Sequence, residues 1–525
     1  MKKMILLFAA LSVTVLAGGK QQTETRPSVA VAPRPMAEKR PSAAEAMQSE
    51  AEAPQQESEA KQSMTDTQPS TAKTPQQEAE AKQPKTNTRP SAAEALQPEA
   101  EVLFSRHFTG ATLRLDYVFC GDAGHQAIYL QGMSRTGVWA GRRHNLSRAL
   151  LRGNGLVRVK DPASGAVLYE NSFSTLFQEW QGYEEARHVQ KAFENCLQVP
   201  FPRDTADIEV LLSDAHAKVT ARLEHRVVPQ DILIRQVQDN HLHRHTLKEG
   251  GPVEKAIDIV ILSEGYTAAQ EEKFFADAAR ARDALLGHEP FASRSDAFSI
   301  RAVFAPSQDD GPSIPHLGKW NNTLTDSHFD TFYSERYLTT SALQKVWDAV
   351  GTIPFEHIIV LVNTPVYGGG GIYNSVTIMG SDHPTFPQVL VHEFGHAFGG
   401  LGDEYFYGEQ AETPYPADTE PWESNLTTLK DFASKWQDML PPGTPVPTPT
   451  DELEKQDVRK IWDTLSADEK ALLNHRIGVY EGAGYQAKGV YRPVQECRMK
   501  INECEEFCPV CTRALVRMID YYCGE

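Results

Sequence analysis

Two histidines four positions apart, with a glutamate beside the first, carry the most chemistry in this chain: Val391-His392-Glu393-Phe394-Gly395-His396-Ala397. On a helix, His392 and His396 share one face, and two imidazoles so placed can bind one Zn²⁺. Glu393 is then within reach of a zinc-bound water as general base. A catalytic zinc takes a third protein ligand and keeps its fourth position for water. After His396 come Gly399, Gly400 and Gly402, which end a helix and permit positive φ. The chain can therefore turn back and present a carboxylate. Asp403 follows directly and is the preferred third ligand, with Glu404 the alternative. Two helical histidines can equally be satisfied core residues. The apolar run Val389-Leu390-Val391, the glycine turn and the acidic pair favour the metal.

The elements that must position this helix read as alternating strands and helices. Ala256–Leu262 is a buried-strand run ending in Ser263-Glu264-Gly265-Tyr266. Thr267 caps a helix to about Leu286, and Phe298–Phe304 is the next strand. A helix over Leu343–Val350 leads to a strand at His357–Val362. Ile372–Met379 is a strand directly preceding the zinc helix; at a sheet edge it could pair an extended peptide substrate. The run Gly368–Gly371 marks a mobile or closely approached loop. Beyond Tyr405 the text is irregular up to a helical stretch near Thr450–Leu473, and a last helix follows Cys511.

Ahead of this, residues 102–250 read as strands. Thr112–Phe119 and Gly155–Asp161 alternate apolar with polar, and Ile208–Leu212 and Ala217–Leu223 suggest a further antiparallel pair. The pattern predicts a β-sandwich. It carries no chemical constellation, so a binding or spacing module is expected, with Cys120 and Cys196 able to pair. His241, His243 and His245 alternate, but a solvated linker face accounts for them better than a metal.

The whole chain has 525 residues and a net charge of −18, which argues against nucleic-acid binding. Residues 1–19 read as a secretory signal: Lys2 and Lys3, an apolar run from Ile5 to Leu16, then Ala17-Gly18-Gly19. Leu16-Ala17-Gly18 resembles the start of a lipoprotein box, but Gly19 stands where the lipidated cysteine belongs. Residues 20–101 are Ala/Glu/Gln/Pro-rich and repeat themselves. Arg40–Ala46 returns as Arg89–Ala95, and Pro54–Gln62 nearly unchanged as Pro75–Gln83. So little apolar surface cannot offset the entropy of ordering, so a disordered tether is expected. The expected location is exported: secreted, periplasmic or at the cell surface, the N-terminus offering a tether. No transmembrane helix is expected after the N-terminus. The chain has seven cysteines. Cys508 and Cys511 form Cys-x-x-Cys with Cys497 and Cys504 nearby, so a four-sulfur structural zinc is conceivable, while disulfides are the default in an exported protein.

His392-Glu393-Phe394-Gly395-His396, Leu401-Gly402-Asp403-Glu404-Tyr405, Tyr491-Arg492-Pro493, Cys497-x-Met499 and Phe507-Cys508-Pro509-Val510-Cys511 together closely resemble the IgA-peptidase family of bacterial zinc metallopeptidases. The resemblance runs from about Val102 onward. It implies an α+β protein with an N-terminal β domain and, over residues 251–525, a metzincin-like catalytic domain with a twisted mixed sheet and an active-site helix. It implies zinc on His392, His396 and Asp403, Glu393 as base, and Met499 as the Met-turn supporting the site. In the commoner metzincin spacing the third ligand would fall at Gly402; here Asp403 comes one residue later.

These readings lead to an exported zinc endopeptidase acting on proteins or peptides. Tyr405, Tyr491 and Arg498 are candidates for stabilising the oxyanion. The rivals are a surface binding protein with a non-catalytic zinc site, disfavoured by the intact Glu393, and a zinc exopeptidase, for which no terminus-capturing motif is visible.

Overall fold

The computed structural model describes residues 102–408, 414–450, 453 and 457–524 of the chain. The signal sequence and tether expected at 1–19 and 20–101 lie outside the described residues.

Alternating side chains build the first part. In β1 (Phe108–Asp122), Leu113, Leu115, Tyr117 and Phe119 point one way into a shared core. β1 pairs antiparallel with β2 (His125–Val138). β3 (Gly155–Lys160) and β4 (Val167–Phe173) form a second pair. A short helix, α1 (Leu176–Trp180), is capped by the Thr175 hydroxyl accepting from Gln178 N–H. It leads to β5 (Lys191–Pro202), β6 (Ala206–Ser213), β7 (Val219–Val227) and the two-residue β8 (Arg235–Gln236). Two four-stranded sheets result, in the orders β5-β1-β2-β8 and β4-β3-β6-β7. Val157, Val159, Ile208, Val210 and Leu212 of the second sheet share a core with the inward residues of β1.

The opposite face of β1 is also buried. Arg114 pairs with Asp116 at 2.6 Å, and its Nη1 reaches Asp348 Oδ1 at 2.7 Å, far along the chain. The expected Cys120–Cys196 disulfide does not form. The β1–β5 register sets Cys196 opposite Asp116 and Cys120 opposite Ala192. Four residues of strand separate the two levels, about 13 Å, well beyond disulfide reach.

The second part is a six-stranded mixed sheet whose strands lie in the spatial order Gly369–Gly371, Val376–Gly380, His357–Val362, Ile257–Glu264, Phe298–Phe304 and His243–Lys248. β9 (His243–Lys248) is an edge strand antiparallel to Phe298–Phe304, so His243 and His245 lie in a strand and not a linker, while His241 precedes it. The His245 ring stacks on Phe275, with centroids 3.7 Å apart. β10 (Ile257–Glu264) is buried on both faces, which explains its apolar run Ile259–Leu262. α2 (Glu271–Leu286) follows a capping box between Thr267 and Gln270. β11 (Phe298–Phe304), α3 (Leu343–Val350) and β12 (His357–Val362) come next. β11 and β12 lie parallel to β10 on either side. β13 (Gly369–Gly371) pairs antiparallel with β14 (Val376–Gly380), which runs parallel to β12.

The strand expected at Ile372–Met379 is therefore shorter and not at the edge. The glycine run forms the edge strand instead, and Tyr337 bridges its outer side at Gly369. α4 (Phe386–Ala397) packs on one face of this sheet with α2 and the last helix, α6 (Pro509–Cys523). α3 covers the other face. Between α4 and α6 the region expected as one helix breaks into Val458–Ile461 and α5 (Ala467–His475), followed by the hairpin β15 (Tyr480–Ala483) and β16 (Gln486–Arg492). The chain is thus mixed α+β, with several sheets and few helices. No helix among the described residues is long and apolar enough to cross a membrane.

Candidate metal centre

α4 is held by Phe386, Leu390, Val391, Phe394 and Ala397, all buried. His392, Glu393 and His396 occupy the other stripe and are half-buried. At its end Gly400 takes φ +58, a left-handed turn that L side chains rarely adopt. The Leu401 N–H returns to the Gly395 carbonyl at 3.2 Å, and the chain doubles back toward the histidines.

That reversal brings Asp403 to the imidazoles. Asp403 Oδ1 lies 3.0 Å from His392 Nε2 and 3.3 Å from His396 Nε2, and the two Nε2 atoms are 3.0 Å apart. Each ring is fixed from behind. His392 Nδ1 donates to the Arg498 carbonyl at 2.9 Å, and His396 Nδ1 to the Leu401 carbonyl at 2.6 Å. A carbonyl can only accept, so Nδ1 carries the proton and Nε2 offers its lone pair inward. Three donor atoms thus converge with the chemistry and spacing of a divalent metal set. A tetrahedral ion with nitrogens at 2.0–2.1 Å has ligand edges of about 3.3 Å.

The electrostatics agree. Burial works against charge on His396, but Asp403 and Glu393 outweigh it and hold its imidazole up to about 10. Burial also opposes charge on Asp403, yet the imidazoles keep its carboxyl well below the usual range. The cluster therefore attracts positive charge. Glu393 is raised above the ordinary carboxyl value by burial, while the imidazoles and the Gly371 N–H pull it back. β13 lies so close to α4 that a Cβ on Gly371 would sit 2.2 Å from the Glu393 carbonyl. The close approach expected of the glycine run is found there, in an edge strand and not a loop.

The neighbouring carboxylate goes elsewhere. Glu404 is fully buried, and its Oε1 lies 3.1 Å from Cys511 Sγ. Of the two third-ligand candidates, only Asp403 meets the histidines. Met499 is also fully buried; its sulfur lies against the backbone of Gly395, and its carbonyl accepts from Glu404 N–H at 2.8 Å.

The sequence reading missed two contributors. Tyr485, at φ +67 in the tight β15–β16 turn, donates its hydroxyl to Asp403 Oδ2. The signal for it was Gly484-Tyr485 between two short strands. Glu179 of α1 accepts from Tyr337 OH at 2.5 Å, and its carboxylate senses Asp403, His396 and Glu393. No local pattern marks it. Of the proposed oxyanion groups, Tyr405 stacks edge-on to Tyr485 and feels Asp403 and Glu393. Arg498 instead directs its guanidinium to the Asn502 carbonyl at 2.6 Å, and the electrostatic partners of Tyr491 are Glu481 and Lys488.

Comparison with known families gives two matches. Residues 246–519 match the family described as IgA Peptidase M64, and residues 103–224 match that described as Peptidase M64 N-terminus. No curated protein matches the chain.

Proposed function

Because the chain belongs to the IgA peptidase M64 family, we propose that it is an exported zinc endopeptidase cutting internal bonds of extracellular proteins. The observation that carries the reading is the convergence of His392 Nε2, His396 Nε2 and Asp403 Oδ1 within 3.3 Å, next to Glu393 on the same helix. His392, His396 and Asp403 would hold the metal. When bound, zinc there supplies a Lewis acid that polarises the scissile carbonyl and acidifies water.

The protein's own groups do the rest. Glu393 takes a proton from the attacking water onto its carboxylate and delivers it to the leaving amine nitrogen. A carboxyl raised by burial suits a group that must both accept and release a proton near neutrality. The Arg498 and Leu401 carbonyls orient the imidazoles, and Tyr485 orients Asp403. Of the oxyanion candidates, Tyr405 is the one whose phenol feels both Asp403 and Glu393. The family name refers to IgA; the substrate class proposed here is extracellular protein in general.

In the same reading residues 251–525 are a metzincin-like catalytic domain and residues 102–250 a β-sandwich. Support comes from the Met499 turn against α4 and from the two sheets sharing one core. Residues 1–19 would be the export signal and 20–101 a tether.

The test compares the full chain with Glu393→Ala. Bound zinc and cleavage of a mixed peptide library are measured for both. Equal zinc with internal cuts by the parent alone supports the reading. A parent that removes only terminal residues makes it an exopeptidase, and a zinc-loaded parent that cuts nothing makes it a binding protein.

A further inference from the structure

We propose that Cys497, Cys508, Cys511 and Glu404 form a second metal site, a closed structural zinc centre behind the histidine cluster. One ligand atom from each of the four residues lies within 4.8 Å of the others, and all four side chains are fully buried. The four-sulfur arrangement conceivable from sequence does not occur. Cys504 turns away, its sulfur 3.3 Å from Asn474 Nδ2 and 3.5 Å from the Glu506 carbonyl, and Glu404 takes the fourth place. The default of disulfides is not met either, since none of the seven cysteines is bonded to another.

The distances are those of ligands around an ion. Cys497 Sγ and Cys511 Sγ are 3.9 Å apart, and Cys511 Sγ is 3.1 Å from Glu404 Oε1. Zinc with sulfur at 2.3 Å and oxygen near 2.0 Å has tetrahedral edges of about 3.8 and 3.5 Å. A disulfide would need about 2.05 Å.

Backbone donors are already aimed at the sulfurs. Cys508 N–H donates to Cys497 Sγ at 3.3 Å, and Cys511 N–H to Cys508 Sγ at 3.4 Å. Cys508 is also the N-cap of α6, where the helix dipole favours negative charge. These features stabilise thiolates, the form that binds metal.

An independent observation comes from the carboxylate. Glu404 Oε1 accepts from Asn425 Nδ2 at 2.9 Å, whereas Oε2 is buried with no hydrogen-bond partner among the described residues. Leaving such an atom unsatisfied is costly, and a cation removes the cost. Four protein ligands in a fully buried shell leave no position for substrate, which makes the centre structural. It would join the loop carrying Asp403, the turn carrying Met499 and the start of α6. On binding, the thiols release their protons to solvent, so uptake weakens as pH falls.

The inference stands apart from the peptidase reading, and the test keeps them separate. Metal content is measured on the full chain, on His392→Ala/His396→Ala and on Cys508→Ser/Cys511→Ser. The expected result is two zinc per parent chain, one of which survives in the histidine variant. Should the cysteine variant fail to fold, cobalt substitution of the intact parent and of the histidine variant decides. Both should show the thiolate-to-cobalt charge-transfer band, which a His/His/Asp site cannot give. A histidine variant without metal and without that band overturns the proposal. So does a mapped disulfide joining any two of Cys497, Cys508 and Cys511.

Discussion

Asp403 and Glu404 are consecutive in the chain but serve different clusters. Asp403 Oδ1 lies 3.0 Å from His392 Nε2, while Glu404 Oε1 lies 3.1 Å from Cys511 Sγ. The two side chains leave the backbone toward different groups of metal-type donors. Asp403→Asn should therefore remove metal from the histidine pair, and Glu404→Gln should leave that metal in place. Equilibrium dialysis with zinc in the Cys508→Ser/Cys511→Ser background, which leaves only the histidine site, checks this. Equal loss there on adding either substitution would contradict the assignment.

Replacing Glu393 with Gln keeps shape and removes the base. The expected fall in kcat/KM is about 10²- to 10⁴-fold with bound metal unchanged. Peptide kinetics alongside metal analysis measure both. A variant as active as the parent would exclude Glu393 as the base.

Tyr485 acts through Asp403. Tyr485→Phe deletes the donor to Oδ2 and leaves the ring. Loss of an outer partner of this kind weakens metal affinity by about 10- to 100-fold. Competition against a chelator of known affinity gives the number, and unchanged affinity would show that the hydroxyl does not orient the carboxylate.

His357 makes the fold acid-sensitive. It is 4 % exposed, packed among the rings of Phe394, Phe398 and Tyr522, and its Nε2 has no hydrogen-bond partner among the described residues. Burial alone lowers its pKa to about 3. Between that value and the ordinary 6.5, the unfolded chain binds a proton that the folded chain refuses. Stability from this group is therefore fully present above about pH 6.5 and declines as pH falls toward 3. At pH 5 the loss is about 2 kcal/mol. In urea unfolding, His357→Leu should lose about 2 kcal/mol less than the parent between pH 7 and pH 5. An identical pH response would place the acid sensitivity elsewhere.

Gly371→Ala tests the contact between β13 and α4. The new methyl would meet the Glu393 carbonyl at 2.2 Å, whereas a Cβ on Gly132 meets nothing within 4 Å. Overpacking of this kind costs about 1–3 kcal/mol. Gly132→Ala should change stability by no more than about 0.5 kcal/mol. The paired urea midpoints settle the comparison, and activity should fall only in the first variant.

What the sequence made legible was local. The apolar spacing of Phe386, Val389, Leu390 and Phe394 marks α4, and the apolar runs Ile259–Leu262 in β10 and Ile358–Val362 in β12 mark a buried sheet. Gly399, Gly400 and Gly402 announce the turn that returns Asp403. What stayed hidden depends on distant pairings. Tyr485 lies 82 positions beyond Asp403, and Glu179 reaches Tyr337 across 158. The Cys120–Cys196 expectation failed because strand register, which cysteine counting ignores, sets them at different levels. The preference for disulfides near the C-terminus failed because the Cys497 and Cys511 sulfurs stand 3.9 Å apart; the four-sulfur alternative failed because Cys504 turns to Asn474, while Glu404, 107 positions before Cys511, meets its sulfur.

The first part also meets the elements that carry the metal centre. The Ser174 N–H donates to the Tyr373 carbonyl at 3.0 Å, Asn374 Nδ2 donates to the Ser172 carbonyl at 2.7 Å, and Asn374 N–H holds the Ala397 carbonyl at the end of α4. With Glu179 facing the same groups, the β-rich half is no detachable spacer: a change at Glu179 alters the field on Asp403, His396 and Glu393 without touching α4.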